Sequence, residues 1–408
     1  GGRLGRAVGY MELAVGTVPA TELQRRLDWT RQLATVSAQA ARAATLPAER
    51  AALEELAARS FEQSADLSSE DFEREADLLW SAIEQYDRAG LLADTTRVLD
   101  RFVRGRTQDS RLPAALLRLA EIYELRGDLR RAAEAHEELI QRFSPISEAA
   151  KARLARARIL ILLDDGRLSD AEQSLLALLE AENIGPDASV FREALRTLGE
   201  LVYDSGRWAD AIRRLEDYLV LYGEQADSDR TRFLLANAYR RSAMALRESP
   251  PSDVPLSSSR SESQARLARA AELYEQIDSG SDDEHVNEIS AVYRRLSLLY
   301  RGDCLAALER GGAQEAALGA YRQAAARYQQ HPTALVAQVR QATIYLRQGR
   351  VIEAARAVES ARWLLRHVPE RSFEQFADGS SRESWERYLE TLTQSILFRE
   401  VLQPGERG

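Results

Sequence analysis

The sequence predicts an all-α fold, a solenoid in which antiparallel helix hairpins stack along the chain. Three observations carry that prediction. Ala, Leu, Arg and Glu dominate, apolar residues recur at three- and four-residue spacing, and few stretches alternate with period two, which together mark amphipathic helices. A hexapeptide that opens on glycine and closes on a small residue recurs: GLLADT (90–95), GDLRRA (127–132), GRLSDA (166–171), GRWADA (206–211), GAQEAA (312–317) and GRVIEA (349–354). The spacing is regular, with 37 residues from Gly90 to Gly127, 39 to Gly166, 40 to Gly206, and 37 from Gly312 to Gly349.

Each position in the repeat has a physical reason. Glycine ends a first helix because it lacks a Cβ and accepts a left-handed backbone. A large apolar residue stands four places earlier in several repeats: Tyr86, Tyr123, Leu162, Val202 and Tyr345. The alanine on the second helix (Thr95 in the first repeat) is small, so that two helix backbones can approach. Four residues later His136, Leu175, Leu215, Tyr321 or Val358 covers the same face one turn on. One such hairpin cannot bury its own apolar face, so neighbours must stack.

In chain order, TELQRRLDWTRQLATVSAQAARA (21–43) is expected to open with a capping box, Thr21 to Gln24. Pro47 then starts a second helix. Residues 1–66 form an N-terminal helical hairpin or degenerate repeat, and 67–367 form the array. The 106 residues between Gly206 and Gly312 exceed one hairpin. Within them FLLANAYRRSAMAL (233–246) supplies a first helix, with Ala236 and Tyr239 in register, and ARLARAAELYEQI (265–277) its partner, with Ala270 and Tyr274. Between these, Pro250, Pro251 and a run of serines predict an exposed inserted loop over 247–263. ISAVYRRLSLLYRGDCLAALER (289–310) is the first helix of the next repeat, which brings the array to at most seven hairpins. Residues 368–408 hold a C-terminal capping helix over 382–402 and a tail, QPGERG, expected to fray.

Composition narrows the function. The 408 residues suffice for two or three ordinary domains or one elongated array. The net charge of −9 (55 basic against 64 acidic residues) argues against broad nucleic-acid binding, which needs a basic face. Lys151 is the sole lysine, and arginine supplies the rest of the positive charge. Either this is an anion-binding arginine surface or, the reading adopted here, it reflects GC-rich codon usage in the source genome. Cys304 is the single cysteine, so no intrachain disulfide is available, and its apolar helical context LLYRGDCLAAL predicts a buried structural thiol. No stretch approaches the roughly 18 apolar residues of a membrane span. No signal peptide is visible, but the sequence opens on Gly1 rather than Met, which makes that weak evidence.

No catalytic constellation emerges. His136, His285, His331 and His367 are far apart in sequence, and SDDEH (281–285) reads as a solvated loop rather than a cation site. The phosphate-cradling, zinc-binding and nucleophile-elbow motifs are all absent from the sequence. The expectation is a non-enzyme without cofactor or metal.

The repeat resembles the tetratricopeptide repeat family. Leu195, Leu198, Gly199, Val202, Gly206, Ala211 and Leu215 follow its two-helix pattern, as do Leu116, Leu119, Ala120, Tyr123, Gly127, Ala132 and, one place late, Pro145. The resemblance covers residues 70–367. It departs from the pattern in lacking the early Trp and in a period longer than the usual roughly 34. The long period and the stretches RFSPISEAA (142–150) and RYQQHPTAL (327–335) look like bacterial envelope and periplasmic members. The resemblance implies a right-handed superhelix whose first helices line a concave groove for a peptide or partner protein.

Counting back from each turn, the groove residues are Trp80, Glu84 and Asp87, then Leu117, Glu121 and Glu124, then Arg153 and Arg156. Arg196, Glu200 and Tyr203 follow, and last Arg230, Phe233, Asn237 and Arg240. An arginine-bearing middle beside a more acidic N-terminal part suits a partner segment carrying a carboxylate or mixed charge. Asn237 takes the place of an asparagine that certain family members use to grip a C-terminal carboxylate. Their basic partner one turn earlier is Phe233 here, so that role is not carried over. The function implied is a protein–protein interaction scaffold. The alternative is an obligate structural subunit of a larger envelope or motor assembly. The expected setting is the periplasm or cell envelope of a bacterium, with the cytoplasm as the alternative.

Overall fold

The computed structural model describes residues 2–144, 146–164, 166–223, 228–278, 288–374 and 381–394. The secondary structure among them is helical throughout. The chain forms two compact units, Gly1–Phe191 and Arg192–Gly408. The first holds α1 (Gly2–Thr17), α2 (Leu23–Ala43), α3 (Pro47–Asp66), α4 (Phe72–Arg88), α5 (Leu92–Gly105), α6 (Leu112–Leu125), α7 (Leu129–Phe143), α8 (Ser147–Leu163) and α9 (Leu168–Leu179). The second holds nearly all of α10 (Ser189–Asp204), then α11 (Trp208–Tyr222), α12 (Ser228–Glu248), α13 (Leu256–Asp278), α14 (Glu288–Ala307), α15 (Ala313–Arg327), α16 (Pro332–Arg347), α17 (Val351–His367), α18 (Glu370–Glu374) and α19 (Arg382–Gln394). From α1 to α9 and from α11 to α17, each helix packs on its neighbours in sequence. First helices of successive hairpins also touch, α6 on α8, α12 on α14 and α14 on α16. This is the stacked-hairpin, tetratricopeptide-like fold class that the sequence predicted.

The turn chemistry is visible atom by atom. Gly90, Gly127, Gly166, Gly206, Gly312 and Gly349 have φ between 71° and 86°, a region costly for any residue with a Cβ. At Gly90 the glycine N–H bonds to Asp87 O (3.0 Å), and the next N–H, of Leu91, reaches back to Tyr86 O (3.0 Å). The same pair of bonds closes the turns at Gly127, Gly206 and Gly349. This is the Schellman arrangement, which satisfies the last carbonyls of the first helix. The residue four places before the glycine supplies the carbonyl for the second bond, and its large side chain is buried in the core, as at Tyr86, Tyr123, Val202 and Tyr345. The second-helix slots follow. Thr95, Ala132, Ala171, Ala211, Ala317 and Ala354 are all 0% exposed. Leu99, His136, Leu175, Leu215, Tyr321 and Val358, one turn on, are buried. Gly199 on α10 is small for the same reason, since a Cβ there would stand 2.7 Å from Leu215 Cδ2.

Several expectations need correction. Leu162 is exposed, not buried. Asp164 itself adopts a left-handed backbone (φ 45°) at the end of α8, so the slot four residues earlier belongs to Leu160, which is fully buried. The capping box at Thr21 does not form: α2 starts at Leu23 behind Glu22, with no side-chain cap. Helix α1, which the sequence reading left unassigned, packs Leu4, Val8, Met11 and Val15 against Leu33, Val36 and Ala40 of α2. Packing also runs on across the expected 66/67 boundary. Ala58 and Ala65 of α3 share one core with Leu79, Ile83 and Tyr86 of α4 and Leu99 and Phe102 of α5. Glu62 on α3 accepts from Tyr86 Oη (3.0 Å) and Arg97 Nη2 (2.9 Å). Burial pushes the Glu62 carboxyl up, and those hydrogen bonds outweigh it and hold it below its ordinary range.

The loop expected over 247–263 is shorter than predicted, because α13 begins at Leu256. Pro255 stands just before it and its carbonyl accepts the N–H groups of Ser258 (2.9 Å) and Ser259 (3.1 Å). Ser259 and Ser263 are buried against α12, and Ser263 Oγ donates to Ala243 O (2.9 Å) and accepts from Arg247 Nε (3.0 Å). Ser263 is a small contact residue with local partners, which is why its polarity did not keep it out of a helix; Ser259 is buried without a side-chain partner. At the C-terminus, helix is described over Arg382–Gln394. Residues 395–402 of the expected capping helix, the QPGERG tail, Pro145, and SDDEH with His285 lie outside the described residues.

Candidate functional site

In the first unit, the predicted groove positions are engaged with their neighbours. Trp80 packs on Phe102 (ring centroids 5.6 Å apart) and donates Nε1–H to Glu84 Oε1 (3.0 Å). Asp87 on α4 pairs with Arg118 on α6 (2.5 Å), and Arg118 also holds Glu121 (2.8 Å). Glu124 binds His136 Nε2 (2.8 Å), which places His136 as a packed imidazole. Leu117 is half-buried in the core between α6 and α8. Arg153 donates to the Ser144 carbonyl (3.3 Å). Arg156 is engaged by second helices, its Nε on Glu137 of α7 (2.6 Å) and its Nη1 on Ser174 of α9 (3.0 Å).

In the second unit the structure brings predicted residues together. Glu200 on α10 pairs with Arg230 on α12 (3.0 Å). Asn237 Nδ2 donates to Tyr203 Oη (2.6 Å), and Asn237 Oδ1 accepts from Arg240 Nε (3.1 Å) and Nη2 (2.7 Å). The Arg240 guanidinium also lies over the Tyr300 ring of α14, 4.3 Å from its centroid. Phe233, Tyr274, Tyr293 and Tyr300 form one aromatic group beneath it, with centroids 4.9–6.0 Å apart. Arg196 is half-buried on α10.

Arg240 and Asn237 are each 8% exposed, and no carboxylate among the described residues pairs with Arg240. A buried guanidinium normally requires an anionic partner. Here the Asn237 carbonyl and the Tyr300 ring face supply partial compensation. The fully buried Tyr274 hydroxyl faces the same guanidinium without closing a hydrogen bond of good geometry. Burial pushes the Tyr274 phenol well above its ordinary range and the nearby Cys304 thiol up to about 12, so both remain neutral beside the cation. The surroundings are therefore aromatic, neutral and donor-rich, with one fixed positive charge.

The partners Arg118, Tyr300 and Glu137 were missed in the sequence. For Arg118 the signal is complementary charge on successive first helices, as Asp87 to Arg118 is 31 residues, Asp77 to Arg111 34 and Glu200 to Arg230 30; Tyr300 and Glu137 carry no such signal. Among the described residues no group of three or more His, Cys, Asp and Glu could hold a metal ion. No described helix is long and apolar enough to cross a membrane.

No protein-family model matches the chain, and no curated protein matches it. Solved structures do. A tetratricopeptide repeat protein from Parabacteroides merdae is 15% identical over 78% of this chain and 99% of its own, with a TM-score of 0.38. The C-terminal part of a TPR repeat-containing protein from Cytophaga hutchinsonii is 15% identical over 72% of this chain and 95% of its own, with a TM-score of 0.41. A signal-transduction ATPase with a tetratricopeptide repeat sensor, from Pyrococcus horikoshii, is 12% identical over 82% of this chain and 52% of its own, with a TM-score of 0.42.

Proposed function

We propose that the chain is a non-enzymatic protein-interaction scaffold, and that the first-helix face of its second unit seats a segment of a partner protein that brings an acidic group to Arg240. The observation that carries this reading is the burial of Arg240 without a carboxylate, in a unit where Arg230 and Arg340 are each paired with one, Glu200 and Asp303. An acidic side chain or terminus from a partner would complete the charge pairing and gain strength from the desolvated setting. Tyr203 and Asn237 would orient it through their existing hydrogen bond. A setting in a bacterial envelope rests on the resemblance of the period and of the stretches 142–150 and 327–335, and fractionation of source cells tests it.

A photo-crosslinking amino acid at Arg196, half-buried on α10, tests the binding reading in the full chain within source cells. The control position is Val220, 84% exposed on α11. The expected result is a discrete protein adduct from position 196, lost on Arg240→Gln and absent from position 220. Adducts of equal yield at both positions, or adducts indifferent to Arg240→Gln, would refute the assignment.

A further inference from the structure

The Arg240 guanidinium is short of acceptors as well as of counter-charge. Its Nε and Nη2 both bond one oxygen, the Asn237 carbonyl (3.1 and 2.7 Å). Its Nη1 reaches the Met244 thioether at 3.8 Å, and a thioether sulfur is a weak acceptor. The Tyr274 hydroxyl beside it is fully buried and has no hydrogen-bond partner. The Cys304 thiol, which faces the same guanidinium, stays neutral and so adds a donor rather than an anion. Asn237 commits its own Nδ2 to Tyr203 Oη (2.6 Å). The cluster thus holds one positive charge and more donors than acceptors. The species that balances such a count is an anion that accepts hydrogen bonds.

The surroundings limit the size and charge of that anion. Arg240 is 8% exposed, Tyr274 is 0% exposed, and the rings of Phe233, Tyr274 and Tyr300 pack together beneath the guanidinium. One guanidinium compensates one negative charge, so a phosphate-type dianion would bury charge without a partner. Met244 is 42% exposed, and its unbranched side chain changes rotamer at little cost. Its sulfur is similar in size to a chloride ion. A halide can therefore take the place of the sulfur at Nη1 without repacking the rings.

We propose that, when no partner is bound, Arg240 holds a halide-sized inorganic monoanion at Nη1, with the Tyr274 O–H as its second donor, and that the acidic group of a partner enters by displacing it. The displacement rests on the scaffold reading of Arg240; the anion site itself stands on the donor count. Exchange of one anion for another makes partner affinity depend on chloride specifically. Once chloride saturates the site, affinity falls about tenfold for each tenfold rise in its concentration. Screening by salt, in contrast, treats all monovalent anions alike.

The test uses the purified full chain, freed of chloride. Sodium chloride and sodium bromide are compared with sodium methanesulfonate, whose anion is too large for the site, at one ionic strength of about 0.1 M. Both halides should raise the melting temperature above that in methanesulfonate, with the logarithmic concentration dependence of a ligand that binds only the native state. The difference between salts should vanish in Arg240→Gln. In Tyr274→Phe, which removes the hydroxyl and keeps the ring, the apparent halide affinity should fall at least tenfold. Each variant is read as a difference between salts, so a changed baseline stability does not matter, and if Arg240→Gln fails to fold, Tyr274→Phe reads the same site. Crystals grown in bromide should show its anomalous signal beside Arg240 Nη1. Equal melts in halide and methanesulfonate, or a halide effect unchanged in these variants, would overturn the proposal. Bromide in the crystal with no effect in solution would mean an adventitious ion only, and overturns it too. The crosslink from position 196, repeated in lysate dialysed into either salt, separates this site from the scaffold reading. An Arg240-dependent adduct indifferent to chloride overturns the displacement and leaves the scaffold standing. A halide effect with no adduct in either salt supports the anion site and removes the partner.

Discussion

Replacing Gly302 by alanine should destabilise the protein, although a rule of thumb says the opposite. Gly302 lies inside α14, where alanine is favoured over glycine by about 1 kcal/mol on helix propensity alone. The added methyl, however, would stand 2.7 Å from Tyr321 Cζ and 2.8 Å from Cδ1. Tyr321 cannot give way easily, being 2% exposed with its hydroxyl donated to Asp303 Oδ1 (2.6 Å). Overpacking of this kind costs about 1–3 kcal/mol, so the propensity gain is cancelled or exceeded, for a net loss of up to about 2 kcal/mol. Gly319→Ala on α15 is the matched control. It too is inside a helix, but a Cβ there meets nothing within 4 Å, so it should gain about 1 kcal/mol. Denaturant melts of wild type and both variants, run side by side, should separate the two by about 1–3 kcal/mol. Equal stabilisation by both substitutions would refute the close approach of α14 and α15 at Tyr321.

Three other outcomes follow from the same packing. Ala211→Glu places a charge at a fully buried slot on α11; it should cost at least about 1–3 kcal/mol, and an unchanged melting curve would refute the register. Burial holds the Cys304 thiol near pKa 12 against an ordinary value near 9, so its stabilising contribution is complete below pH 9 and lost between 9 and 12; a thiol reagent at pH 8 should label it only in denaturant. Burial, with the Arg295 charge adding to it, lowers His331 to about 4 from 6.5, and its neutral Nδ1 accepts the Thr333 N–H at the start of α16 (3.2 Å). The stability it gives is therefore present above pH 6.5 and lost as pH falls to 4. His331→Asn, which caps without titrating, should lose less stability than wild type between pH 7 and 4.5 in denaturant melts.

The turns were legible because they leave the chain little choice. A left-handed residue whose N–H and the next N–H must both return to the helix favours glycine, and Gly90, Gly127, Gly206 and Gly349 each stand at such a turn. The buried alanines follow from hairpin geometry once the turns are placed. Legibility failed where a local preference was overridden. Gly5, Gly9 and Gly16 make α1 a poor helix by propensity, yet Leu4, Val8, Met11 and Val15 recur at a spacing that packs on α2. The serines of 256–263 carry loop chemistry, but Ser259 and Ser263 work as small buried contact residues within α13. Asp164 adopted the left-handed state ahead of Gly166, and the apolar slot moved back with it. At the candidate face, the residue types were legible and their partners were not. Whether Arg230 is free or held by Glu200 depends on which helices become neighbours, and the two residues are 30 positions apart.

The ion pairs between successive first helices share a direction. Asp77 and Asp87 precede Arg111 and Arg118, Glu200 precedes Arg230, and Asp303 precedes Arg340. At these three junctions the earlier hairpin offers a carboxylate and the later one a guanidinium, like a coupling with two unlike ends. A chain built this way can gain or lose whole hairpins and still present matching ends at the new junction. The same rule forbids inverting the order of the ends, since carboxylate would then meet carboxylate. Copy number is the property such a coupling leaves free to vary, and polarity is the one it preserves.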